Sequence, residues 1–119
     1  MKFLLTALIL YTGAVYAQSP TDSLYIVTYT TGPAWDLALK PNEQVYFKEH
    51  SAFLGKLMKD GTVKLGARHA EKGMVIIHAT SLQTARELIL SDVAVANKLF
   101  QVDIQKFNVF FYGCLEKPK

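Results

Sequence analysis

The order in which the hydrophobic period changes constrains this chain more than any other feature. Leu24–Thr31 (LYIVTYTT) is β-branched and aromatic, which predicts a strand. Gly32–Pro41 (GPAWDLALKP) lies between Gly-Pro and Pro and reads as a loop. Asn42 suits a helix N-cap, and from there to Lys59 the period becomes helical. Tyr46, His50, Phe53, Leu54 and Leu57 then share an arc of roughly 100°, with Phe47 and Met58 at its edges. Asp60-Gly61 stops the helix, and Thr62–Arg68 alternates as a second strand. His69–Gly73 is a short turn and Met74–Thr80 (MVIIHAT) a third strand. Ser81 caps a second helix with Leu82, Ala85, Leu88 and Ile89 on one face. Ser91-Asp92 interrupts it, Val93–Phe100 supplies another helical turn or two, and Val102–Gly113 reads as a long last strand. This βαββαβ order predicts an α+β, ferredoxin-like domain: one antiparallel sheet with its helices on one face.

The opposite face of such a sheet should be polar if it meets water. Instead both parities are partly apolar. Val75 and Ile77 alternate with Met74 and Ile76, and Phe107, Val109 and Phe111 alternate with Ile104, Phe110 and Tyr112. An apolar second face on a small domain needs a cover. A second copy, sheet against sheet, is the simplest one, so a homodimer is expected.

Residues 1–17 (MKFLLTALILYTGAVYA) resemble a secretory signal: Lys2, an apolar run, and Val15 and Ala17 at the −3 and −1 positions of a cleavage site. The run is short for a membrane span. The expected organisation is a signal peptide at 1–17 and a single domain at 18–119, secreted or periplasmic, with no stable membrane insertion after cleavage. Loss of Lys2 leaves twelve basic against ten acidic side chains of the 13 and 10 in the whole chain, a balance of +2. No basic stripe is interleaved with aromatics, so nucleic acid is not an expected partner. The lone Cys114 cannot close an internal disulfide, and a buried, inert thiol is its commonest state.

Chemistry-bearing residues are few. His50 lies in the middle of the apolar arc, as a core histidine with a satisfied ring or as a general acid/base in a half-buried pocket. Tyr46 and Glu43 precede it on the same stripe, although Glu43 also suits the positive start of a helix. Asp92 caps or stops a helix, or orients His50 and favours its charged form. Trp35 either anchors its loop or forms a lid over the pocket, and Asp36 beside it is a turn residue or a ligand contact. His69 falls in a turn and His78 in a strand that would face a dimer partner. No histidine pair has metal-ligand spacing, and no Gly-rich phosphate loop, nucleophile elbow or Cys–His arrangement occurs. Neither a metal nor a cofactor is therefore expected.

The segments HSAFLGKLMKDGTVKLGA, GMVIIHATS and SDVAVANKLF together resemble the YCII-related family, over about residues 24–112. The GPAWD loop and the Glu43-Gln44 pair before His50 are similar to one branch of it. The resemblance implies a ferredoxin-like dimeric α+β barrel with a His50–Asp92 active-site pair. It also implies kinship with a dehydrochlorinase of chlorinated muconolactone-type substrates. Two positions depart from the pattern. Val93 follows Asp92 where the family usually has Pro, and Gly66-Ala67-Arg68 stands where it usually has Gly-Pro. The second departure puts the long cation of Arg68 near the expected pocket.

Two functions follow. The first is a cofactor-free lyase or isomerase using His50 and Asp92 on a small organic acid or lactone, with Trp35, Asp36, Glu43, Tyr46 and Arg68 around the ligand. The alternative is a non-catalytic secreted dimer that binds a small ligand or a protein partner in the same cleft.

Overall fold

The computed structural model of the protein describes Ile9, Gly13 and residues 22–118. Apart from those two residues, the segment read as a signal peptide lies outside the described residues. Strand β1 (Ser23–Thr31) is followed by a turn of 3-10 helix (Pro41–Glu43) and helix α1 (Phe47–Lys59). The hairpin β2 (Val63–His69) and β3 (Lys72–Ala79) comes next, then α2 (Leu82–Leu90), α3 (Val93–Ala96) and β4 (Phe100–Lys106). Among the described residues the strands form one antiparallel sheet in the order β2-β3-β1-β4. The domain is α+β and compatible with a ferredoxin-like fold.

Alternation along the central strand decides which face is core. Tyr25, Val27 and Tyr29 of β1 register with Ile77, Val75 and Gly73 of β3 and with Lys106, Ile104 and Val102 of β4. This face receives Ala85 and Ile89 of α2 and Val95 of α3, with Phe53 and Leu54 of α1 packed against the cluster. Val27, Ile77, Ala85 and Ile89 are 0% exposed. Burying such a Val or Ile side chain contributes about 1.5–3 kcal/mol relative to exposure. Ser81 caps α2 as expected, its side chain accepting from the Thr84 N–H at 3.0 Å.

Five expectations change. The first helix does not run from Asn42. Tyr46 sits at φ 72°, ψ 0°, a left-handed conformation that a helix interior excludes, and α1 begins only at Phe47. Helix α3 ends at Ala96 rather than near Phe100, and Phe100 already belongs to β4. The last strand ends at Lys106, opposite Tyr25, and the chain leaves the edge of β1 after one further backbone bond from Phe107 to Leu24. Its outward positions, Gln101, Asp103 and Gln105, are exposed and polar, so β4 alternates cleanly where an apolar second parity was expected. Cys114 is exposed rather than buried.

The chain beyond β4 leaves the sheet edge. Phe107 N–H bonds the Leu24 carbonyl at 2.9 Å, and Glu116, Lys117 and Pro118 share a hollow with Asp22, Lys64 and His78. The C-terminal segment thus crosses one end of the sheet from β4 toward the β2–β3 hairpin. There His78 Nδ1 lies 2.6 Å from Asp22 Oδ2.

Candidate active site

His50 reaches the sheet because α1 starts late and lays one stripe on it. From Phe47 onward, His50, Phe53, Leu54 and Leu57 recur at helical spacing, and His50 and Leu57 are the buried members of the helix. Asp92 reaches the same point from the junction of α2 and α3. Its backbone N–H bonds the Ile89 carbonyl, and its Oδ1 accepts from the Ala94 N–H at 2.9 Å as the N-cap of α3. Oδ2 remains, and it lies 2.6 Å from His50 Nδ1. One Asp92 oxygen thus serves the α3 cap and the other faces the His50 ring.

The pair is buried. The His50 side chain is 10% exposed and that of Asp92 0%. Facing a carboxylate oxygen, which accepts, Nδ1 is the ring's donor, and Nε2 is the ring nitrogen left over. Among the described residues Nε2 has no hydrogen-bond partner, and it is not one of the sealed, unpartnered atoms. Removing one partner of such a buried hydrogen-bonded pair typically costs about 1–3 kcal/mol, because the other is left unsatisfied.

In front of the ring opens a cavity of about 680 Å³. Its wall is aromatic around His50: the Phe100 and Tyr29 ring centroids lie 4.6 and 5.1 Å away, and that of Phe47 6.3 Å. Trp35 extends the wall, 5.7 Å from Phe100. Ser51, Thr31, Arg68 and Glu71 add polar groups. Arg68 faces the cavity side because it registers with Gly73, opposite Tyr29. Glu71 is set by a tight hairpin turn in which Ala70 and Glu71 both have positive φ, 46° and 62°.

The structure brings His50, Asp92, Trp35 and Arg68 together, and it does not bring Asp36, Glu43 or Tyr46 to the cavity wall. Those three organise the loop before α1. Glu43 Oε2 accepts from the Lys40 N–H at 2.9 Å, and Asp36 Oδ1 accepts from the Ala38 N–H at 2.9 Å. Tyr46 is 38% exposed. Gln44, one residue beyond Glu43, is 5% exposed and bonds the backbone of Asp36 in both directions and the Leu39 carbonyl. Trp35 both anchors its loop against Phe100 and lines the cavity.

Tyr29 is the member that sequence reasoning missed. It is 4% exposed, and its hydroxyl is buried without a partner. Burial first, and the nearby Asp92 charge second, push its pKa well above the ordinary phenol value, so it stays protonated. An unpaired buried hydroxyl costs about 1–3 kcal/mol. A tyrosine in an alternating strand reads as core, and nothing in the sequence marks it as unpaired.

Among the described residues no three His, Cys, Asp or Glu side chains gather as a metal site, and no helix is long and apolar enough to cross a membrane. No protein-family model, curated protein or solved structure matches the chain.

Proposed function

We propose that the cavity is the acid/base site of a cofactor-free lyase or isomerase acting on a small organic acid or lactone. The observation that carries this reading is the 2.6 Å contact between His50 Nδ1 and Asp92 Oδ2, behind a ring that lines an open cavity. A sealed core histidine would have no such opening. Nε2 takes the proton from a carbon next to a carbonyl, and the C–H electron pair moves toward the carbonyl oxygen as an enolate. The imidazolium, steadied by Asp92, then returns the proton to a different carbon, or a leaving group on the β-carbon departs with the electron pair. The first outcome is isomerisation and the second elimination. A positioned base of this kind contributes roughly 10²–10⁴-fold. Phe47, Phe100 and Trp35 hold the apolar body of the substrate, and Arg68 suits its carboxylate.

In this reading the chain is a YCII-like protein exported through residues 1–17 and acting as a dimeric α+β barrel. Support for the dimer comes from the sheet face turned away from the helices, where half-buried Ile26, Leu65 and Met74 adjoin one another across β1, β3 and β2.

The test needs no known substrate. The protein is incubated in D2O with a panel of lactones and carboxylic acids bearing a β leaving group, and C–H exchange or elimination is followed by proton NMR. Wild-type protein promotes exchange in at least one panel member. His50→Gln, checked for an unchanged circular dichroism spectrum, loses it by about 10²–10⁴-fold. Asp92→Asn, which frees the ring to adopt the other tautomer, falls between the two. Equal exchange by His50→Gln rejects the reading. Binding of a panel member with no exchange favours the alternative, a non-catalytic ligand-binding protein.

A further inference from the structure

Two glycines of the β2–β3 hairpin meet no structural demand for a glycine. Gly66 and Gly73 both lie inside strands, where a glycine has no side chain to pack and weakens the strand. Neither backbone needs the left-handed region. In this hairpin the positive φ values belong to Ala70 and Glu71 instead. Neither position is crowded. Within 4 Å, a Cβ on Gly73 would meet the Tyr29 Cβ at 3.7 Å. One on Gly66 would meet a Val75 methyl at 3.8 Å and the Met74 carbonyl oxygen at 3.9 Å. These are ordinary van der Waals contacts, so each site has room for a side chain and lacks one.

Their place in the sheet gives that lack a meaning. Gly66 registers with Val75, and Arg68 registers with Gly73, which in turn registers with Tyr29. Val75 and Tyr29 belong to the core face, so both glycines belong to it too. Elsewhere this face carries Tyr25, Val27, Val75 and Ile77 under the helices. At Gly66 and Gly73 it carries bare backbone, and the cavity in front of His50 reaches down to both residues. His50, Ser51 and Leu54 line the same cavity from α1. Tyr29 packs edge-on against the His50 ring, and Arg68 lies two strands further across, roughly 10 Å at the usual strand spacing. The glycines thus form a floor between the His50 end of the cavity and its Arg68 end.

We infer that Gly66 and Gly73 determine specificity: a flat ligand lies on their backbone, so the cavity takes an extended planar carboxylic acid and refuses a thick or branched one. The inference rests on the acid/base reading of the same cavity and names the shape of its substrate. The carboxylate meets Arg68, the planar body crosses the floor, and its far end comes to rest at His50. Side chains stand roughly perpendicular to a sheet, so one at either glycine would rise into the layer the ligand occupies.

The experiment is calorimetric titration of the full chain with 2-naphthoate, a planar acid, and with 1-adamantanecarboxylate, a thick one. The wild type binds 2-naphthoate and prefers it to the adamantane acid by about 10-fold or more. Gly73→Val and Gly66→Val each weaken naphthoate binding by about 10- to 200-fold, the range for added bulk in a fitted apolar pocket. Gly73→Ala weakens it less, and it keeps the test decisive if a valine variant folds poorly. Gly55→Ala, on α1 and outside the cavity wall, leaves binding unchanged. Urea midpoints of Gly73→Ala and Gly66→Val stay level or rise, because a strand glycine has been replaced by a residue that packs. A loss of binding with a level or higher midpoint is the signature of a floor kept bare for a ligand. Wild-type affinity in all three cavity variants, equal binding of the two acids, midpoints that fall in all three, or no naphthoate binding by the wild type at millimolar concentration overturns the inference. Failure of the acid/base reading looks different: naphthoate binding that depends on the glycines, without any exchange chemistry that depends on His50.

Discussion

At the scale of single residues, the site is a division of labour among groups whose bonding capacity is nearly used up. Asp92 spends one oxygen on the α3 cap and one on His50, and His50 spends one nitrogen on Asp92. Tyr29 alone keeps a sealed polar atom without a partner among the described residues. That has a consequence for stability against pH. The ordinary phenol value is 10.0, and the folded value lies above it. The folded protein therefore keeps the Tyr29 proton where the unfolded chain has released it. The contribution is complete below about pH 10 and declines as pH rises through that point. Urea midpoints measured from pH 8 to 11 should fall more steeply for the wild type than for Tyr29→Phe, whose curve lacks this limb. Parallel curves would refute the assignment. His50 and Asp92 were legible in the sequence, because a polar ring at the centre of an apolar stripe and an acid at a helix junction both stand out. Tyr29 was not, because what distinguishes it is a missing partner rather than its place in a pattern.

At the scale of elements, the path between β1 and α1 decides where the site opens. Gly32 passes so close to the turn before β4 that an added Cβ would stand 2.1 Å from the Lys98 carbonyl oxygen. Its N–H bonds the Leu99 carbonyl at 2.8 Å, and Ala34 N–H bonds that of Lys98 at 3.0 Å. This junction sets Trp35 and Phe100 side by side. Gly32→Ala must push backbone apart, so about 1–3 kcal/mol of stability is lost and the Trp35–Phe100 wall shifts with it. Gly55 is the control. It lies within α1 with nothing within 4 Å of an added Cβ, so Gly55→Ala should gain up to about 1 kcal/mol by helix propensity. Urea midpoints with an unchanged m-value report both, and Trp35 fluorescence should move in the first variant only. Equal stability of the two variants would sink the argument. The sequence pattern placed these elements in the right order but not their ends. Period alone extended α1 back to Asn42, because the side-chain bonds of Gln44 and the left-handed turn at Tyr46 are tertiary choices. Aromatic alternation likewise carried the last strand past Lys106, where the chain turns away from β1 after one further bond to Leu24.

At the scale of the whole molecule, the two faces of the sheet have unequal fates. One is filled by α1, α2 and α3. On the other, Leu24 and Ile76 are 3% and 1% exposed, whereas Ile26, Leu65 and Met74 are half-buried and the β4 positions are polar. The apolar stripe is thus narrower than the sequence suggested, and it runs along β1, β3 and β2 rather than across the full sheet. A stable interface needs on the order of 800 Å² from each partner. A stripe this narrow reaches that only if the flanking polar rows, Gln101 and Asp103 on β4 and Lys72 on β3, join it as a rim. The dimer proposal therefore predicts both a state and a weakness. Residues 18–119 should sediment at twice the monomer mass at micromolar concentration. Ile26→Lys, which places a charge in the middle of the stripe and away from His50, should shift the protein to monomer while the exchange chemistry of the cavity survives. A chain that sediments as a monomer at every accessible concentration rejects the dimer. If Ile26→Lys leaves a dimer intact, the two copies meet elsewhere and the stripe is covered by its own chain.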